Sequence, residues 1–197
     1  MLYTATNVNQ NALNFNLEIT DKLSEICSSL LEPFGITFFA YYKFFQDGKI
    51  LRISNHSSWA KIYFEREYYN DVFLYQPHFQ KVQENSSYAS LWIAQPTSMI
   101  PDLNDNRIGN GLTIYKKTPF FAESYVFATA PENTQINLLY VNNLDKFRNL
   151  SEILNEKISI FLSTCNFVCL IKSKLKPLSY TCPQDTRISQ FLKKISS

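Results

Sequence analysis

Cysteine, histidine and paired carboxylates are the side chains here that could do chemistry, and their spacing builds no catalytic set. Cys165 and Cys169 lie one helical turn apart and can share a face. Structural zinc, however, takes four Cys or His ligands, and the chain's two histidines, His56 and His78, are distant in sequence. No metal and no cofactor are expected. Cys27 or Cys182 could form a thiolate–imidazole pair only if the fold carried one to a histidine. Glu65 with Glu67, and Asp102 with Asp105, could be posed as acid and base, but nothing local separates them from solvated surface charge. Gly109 and Gly111 serve backbone conformation or a close strand approach and form no phosphate-binding fingerprint. Trp59 and Tyr63, one turn apart, are either a core pair or the wall of a ligand site. Asp71 is either a surface acid or an acceptor for a ligand. The residues point to a protein that binds, not to an enzyme.

Such side chains need a scaffold, and 197 residues suit a single domain. Hydrophobic residues make up 45% and aromatic ones 15%, enough to fill a large interior with Phe and Tyr rings. The net charge of +2 comes from scattered residues, so bulk charge gives no nucleic-acid footprint. The Asn-rich start carries no secretory signal, and the apolar stretch 158–171 is interrupted by Ser159, Ser163, Thr164 and Asn166 and is too short to span a bilayer. A cytoplasmic protein with reduced thiols is expected.

Along the chain, residues 1–20 read as an N-terminal arm, and Thr20 or Asp21 caps a helix carrying Leu23, Ile26, Cys27, Leu30 and Leu31, which stops at Pro33 and Gly35. Residues 36–45 and 50–55 around Asp47-Gly48 spell a β-hairpin. Ser57 and Ser58 cap a helix with Trp59, Ile62 and Tyr63 on one face. Residues 73–84 are extended and then helical, Leu91-Trp92-Ile93 is a short apolar segment, and 101–106 is a polar loop. Strands follow at 112–116 and 124–129, then a long helical region over 135–171 broken near Asn142-Asn143. Residues 177–197 form a tail with a short amphipathic helix.

The segment from Ser58-Trp59 through Tyr63-Phe64 to Tyr68-Tyr69-Asn70-Asp71, a second tryptophan at Trp92, and Ile108-Gly109-Asn110-Gly111-Leu112-Thr113-Ile114 together resemble the autoinducer-binding sensor domain of LuxR-type transcriptional regulators. The similarity covers residues 21–171, with a core domain over 21–176. It implies an α+β fold, an α/β/α sandwich whose central antiparallel sheet has about five strands, PAS/GAF-like, flanked by helices. It also implies a ligand-binding site in which Trp59 donates to a lactone carbonyl, Tyr63 and Asp71 hold an amide, and Trp92 closes the head-group end. Two features depart from the family. Its Asp-Pro is replaced by Asp71, one place earlier, followed by Val72, which argues against an acyl-homoserine lactone itself. Its helix-turn-helix has no counterpart in the short tail, so direct nucleic-acid binding by this chain is not expected.

The expectation is therefore a stand-alone sensor-like domain that binds a small apolar signal ligand, pairs as a homodimer or with a related regulator through residues 135–171, or does both. Two alternatives remain open: a pure protein–protein interaction domain with its pocket filled by Phe and Tyr, and a delivered bacterial effector enzyme using Cys and His.

Overall fold

The computed structural model describes residues 5–71, 76–92 and 98–174. The proposed tail helix and Cys182 lie outside them.

A six-stranded, fully antiparallel sheet sits between two helical layers. The strands are β1 (Phe38–Phe45), β2 (Lys49–Ser54), β3 (Ser86–Leu91), β4 (Gly109–Lys117), β5 (Phe121–Thr129) and β6 (Ile171–Lys172), in the order β3-β4-β5-β1-β2-β6. The β1–β2 hairpin turns at Gly48, whose φ of 80° suits a residue without a Cβ. A sheet covered on both sides needs apolar side chains at both parities. Accordingly Phe38, Ala40, Tyr42 and Phe44 of β1 are buried in one core, and Phe39, Tyr41 and Phe45 in the other.

The first face is covered by α2 (Ser57–Glu65), α3 (Gln76–Phe79) and α4 (Ile100–Asp105), which contribute Trp59, Tyr63, Phe64, Phe79 and Leu103. The second face is covered by α1 (Ala5–Leu31), α5 (Ile136–Asn142) and α6 (Leu144–Thr164), through Phe15, Ile19, Leu23, Tyr140, Phe147, Leu154 and Ile158. The open α+β sandwich expected from the sequence is present, with one strand more than expected: β6 pairs Ile171 with Ile50 where a helix was expected to continue.

Four local expectations need correction. Residues 5–20 are helical and not an arm, because Ala12, Phe15, Asn16, Ile19 and Thr20 extend the buried stripe of α1 upstream. Helix α2 is capped by His56, whose Nδ1 accepts the Trp59 N–H at 3.2 Å, and not by Ser57 or Ser58. The polar loop at 101–106 is largely helix α4, in which Pro101 occupies the first turn, where its missing N–H costs nothing. The long helical region ends at Thr164, seven residues early, and is divided at Asn143 as expected.

Candidate functional site

The geometry is set by the first sheet face and by α2, which the His56 cap fixes over it. Trp59 is 2% exposed and Tyr63 0%, with ring centroids 6.2 Å apart in an edge-on pair. Tyr68 stacks on Trp59 at 5.8 Å, and its hydroxyl donates to Oδ2 of Asp102 on α4 at 2.7 Å. Burial, and then the Asp102 carboxylate, push the Tyr68 phenol up to about 12. Asp102 thus holds the helical layer together, a role better described as positioning than as acid–base chemistry.

Trp92, half-buried at the end of β3, packs against the same core cluster. Its indole N–H donates to Thr113 Oγ1 at 2.9 Å and its backbone N–H to the Gly111 carbonyl at 2.8 Å. The structure therefore gathers Trp59, Tyr63 and Trp92 on one side of the sheet. Asp71 is half-buried where the 3-10 turn Tyr68–Asn70 ends, its backbone N–H bonded to the Tyr68 carbonyl at 3.0 Å.

One residue of this face gave no signal in the sequence reading. Arg52 on β2 is 2% exposed, with its guanidinium carbon 4.3 Å from the Tyr63 ring centroid and 5.8 Å from that of Tyr42. Its Nη1 donates to Asn16 Oδ1 at 3.0 Å, while Asn16 Nδ2 donates back to the Arg52 carbonyl. Its Nε and Nη2 have no acceptor among the described residues.

The strand register extends this polar feature across the sheet. Tyr88, Tyr115, Ser124, Tyr42 and Arg52 are successive cross-strand partners on β3, β4, β5, β1 and β2. Ser124 Oγ is buried without a partner among the described residues, as is Nδ1 of His78, whose ring stacks flat on Tyr115 at 4.7 Å. Burial, with the charge of Lys81 adding to it, keeps the His78 imidazole below its ordinary pKa.

The other chemical candidates lie elsewhere. Cys27 is buried in the second core, where burial raises its thiol to about 12 and disfavours a thiolate. Cys165 and Cys169 are free, and burial raises both thiols. Among the described residues no group of three or more His, Cys, Asp or Glu is placed to hold a metal, and no helix is long and apolar enough to cross a membrane. Two surface clefts, of about 470 and 300 Å³, are lined respectively by residues around Asn9, Phe64, Tyr69 and Lys174, and around Phe15, Lys22 and Phe161. Trp59, Tyr63 and Trp92 line neither.

No protein-family model matches the sequence, and no match is found among characterised proteins. Solved structures do match. Escherichia coli SdiA aligns with a TM-score of 0.53 at 8% identity, over 88% of this chain and 70% of SdiA. The N-acylhomoserine lactone dependent LuxR family transcription factor CepR2 from Burkholderia cenocepacia aligns at 0.52 and 11% identity, over 79% of this chain and 98% of CepR2. SdiA in complex with octanoyl-rac-glycerol aligns at 0.52 and 12% identity, over 95% of this chain and 75% of that one. Of these, CepR2 is a LuxR family transcription factor. At such identities the likeness is one of backbone architecture: the chain has the autoinducer-binding-like fold of LuxR-type regulators.

Proposed function

We propose that the chain is a sensor-like domain that binds a small ligand with an apolar acyl portion between the first sheet face and the layer α2–α4, and passes its occupancy to a signalling or transcriptional partner. Trp59, Tyr63, Asp71 and Trp92 are the proposed contacts. The observation that carries this reading is the convergence of three aromatic side chains on a sheet face where Arg52, Ser124 and His78 hold buried polar atoms with no partner among the described residues. A close-packed apolar core gains nothing from such atoms, whereas a ligand site uses a few of them among apolar walls. The likeness to SdiA, solved with octanoyl-rac-glycerol, supports an acyl chain as the apolar part.

The test is native mass spectrometry of the purified full chain, combined with thermal unfolding in the presence of octanoyl-glycerol, octanoyl-homoserine lactone and octanoate. At a hundredfold excess over Kd a bound ligand adds about 2.7 kcal/mol, or roughly 5–10 °C for a domain of this size. A folded protein that purifies empty and is shifted by none of the probes overturns the proposal. That result would leave pairing with a second protein, a reading favoured by the exposed Leu138, Val141 and Ile160 on α5 and α6.

A further inference from the structure

We infer that the ligand of this domain carries a carboxylate and that Arg52 is the residue that recognises it, an inference that rests on the small-ligand reading above. The guanidinium has three nitrogens, and the structure accounts for one: Nη1 donates to Asn16 Oδ1. The other two, Nε and Nη2, are buried without an acceptor among the described residues. They share the side edge of the planar group, the edge whose two parallel N–H bonds match the two oxygens of a carboxylate.

The charge is also unbalanced. No described carboxylate lies within ion-pair distance of Arg52. The cation faces the Tyr63 and Tyr42 rings and Asn16, neutral groups all, and its field adds to burial in lowering the pKa of His56. A nearly fully buried cation held, among the described residues, by ring faces and one amide is incompletely compensated, and an anionic ligand group at its free edge completes it.

On the opposite side of the sheet the chain balances its own cations, with Lys116 Nζ also 2.7 Å from Glu152 Oε1. On the second face Lys43, Glu123 and Lys116 are cross-strand partners, and Glu123 takes the hydroxyls of both Tyr41 and Tyr125 with Lys43 Nζ at 3.6 Å. There the chain supplies its own anion. On the first face the equivalent row supplies a cation, three phenols and a serine, and no anion.

The row also sets the ligand's direction. From Arg52 on β2 the partners run across β1 and β5 to β4, three strand spacings or about 14 Å. The carboxylate sits at the Arg52 end beneath Tyr63, and the acyl body runs past Ser124 toward Tyr115 and Trp92. A neutral acyl glycerol or lactone has no group that demands a guanidinium.

The experiment compares octanoate with methyl octanoate, and decanoate with methyl decanoate, by calorimetric titration of the full chain at pH 7.5, with octanoyl-glycerol as a neutral reference. Expected are a preference of about tenfold or more for each acid over its ester, its loss to within about threefold in Arg52→Met, and its partial retention in Arg52→Lys. The wild-type comparison needs no variant, so it decides even if Arg52→Met fails to fold. Acid and ester binding equally well, or an acid preference unchanged in Arg52→Met, overturns the assignment and leaves the small-ligand reading intact. Binding of none of the five probes to folded protein sinks the small-ligand reading and this inference with it.

Discussion

Gly111 shows how closely a single residue can be bound to the candidate site. A Cβ built there would stand 2.3 Å from Cδ2 of Trp92 and 2.6 Å from two further ring atoms, so the indole lies directly on the bare backbone of β4. Gly111→Ala is therefore expected to push Trp92 off Thr113 and cost about 1–3 kcal/mol, the usual range for overpacking. Urea unfolding measures the loss, and a red shift of tryptophan emission in the folded state reports the displaced ring. Unchanged stability and emission would mean that the ring rests elsewhere. A positive φ or a close approach would each call for a glycine here, and the structure selects the second: the left-handed residue is the adjacent Asn110, at φ 45°. Arg52 was invisible for a related reason. Ile50, Arg52 and Ser54 alternate with Leu51 and Ile53 as in a strand with one wet face, and only the packing of α1 and α2 over β2 reveals that the cation is enclosed.

Helix α1 was half legible, and the unread half matters most for the site. Asparagine is a poor helix former, so an Asn-rich start reads as irregular chain. Yet Ala12, Asn16, Ile19, Leu23, Cys27 and Leu31 form one stripe at three- and four-residue spacing, and the polar Asn16 within it hides its continuity. Asn16 is 0% exposed and joins α1 to β2 three times: by its Nδ2 to the Arg52 carbonyl, and by its Oδ1 to Arg52 Nη1 at 3.0 Å and Ser54 Oγ at 3.5 Å. Asn16→Ala leaves the guanidinium without a hydrogen-bonded partner among the described residues. Losing a buried hydrogen bond to a charged group costs about 1.5–3 kcal/mol, against less than about 0.5 kcal/mol for the exposed neighbour in Gln10→Ala. Equal urea midpoints for the two variants would show that α1 is not pinned through Asn16. The hairpin and the α5–α6 break were readable because Asp-Gly and paired asparagines act locally. The length of α1, the short helix α4 and strand β6 were not, because each is decided by a partner far away in the chain, as Ile171 is by Ile50.

At the scale of the whole molecule, identities of 8–12% with matching architecture show that this fold tolerates nearly complete replacement of its side chains. What this chain has chosen is an interior rich in phenols, and that choice fixes how its stability depends on pH. Burial raises Tyr41, Tyr115, Tyr125 and Tyr140 well above the ordinary value of 10.0, with the Glu123 charge adding to the effect at Tyr41 and Tyr125. Burial likewise raises the Cys27 thiol from 9.0 to about 12. A group whose pKa is higher in the folded state contributes stability that is complete below its unfolded value and is lost as pH rises, because only the unfolded chain can release the proton. Lys43, lowered mainly by burial, works in the opposite sense below 10.5, one group against several. His56 and His78 are both lowered by burial from 6.5, so their contribution is present above that value and is lost on acidification. Protonating Nδ1 of His56 also removes the acceptor that caps α2. The urea midpoint should therefore be level between about pH 6.5 and 9, fall below that window, and fall more steeply above pH 10, where each deeply buried phenol removes about 1.4 kcal/mol per pH unit. A midpoint still level at pH 11, with the ultraviolet signature of tyrosinate growing in the folded protein, would mean that these phenols ionise in place and that the two cores are open to water.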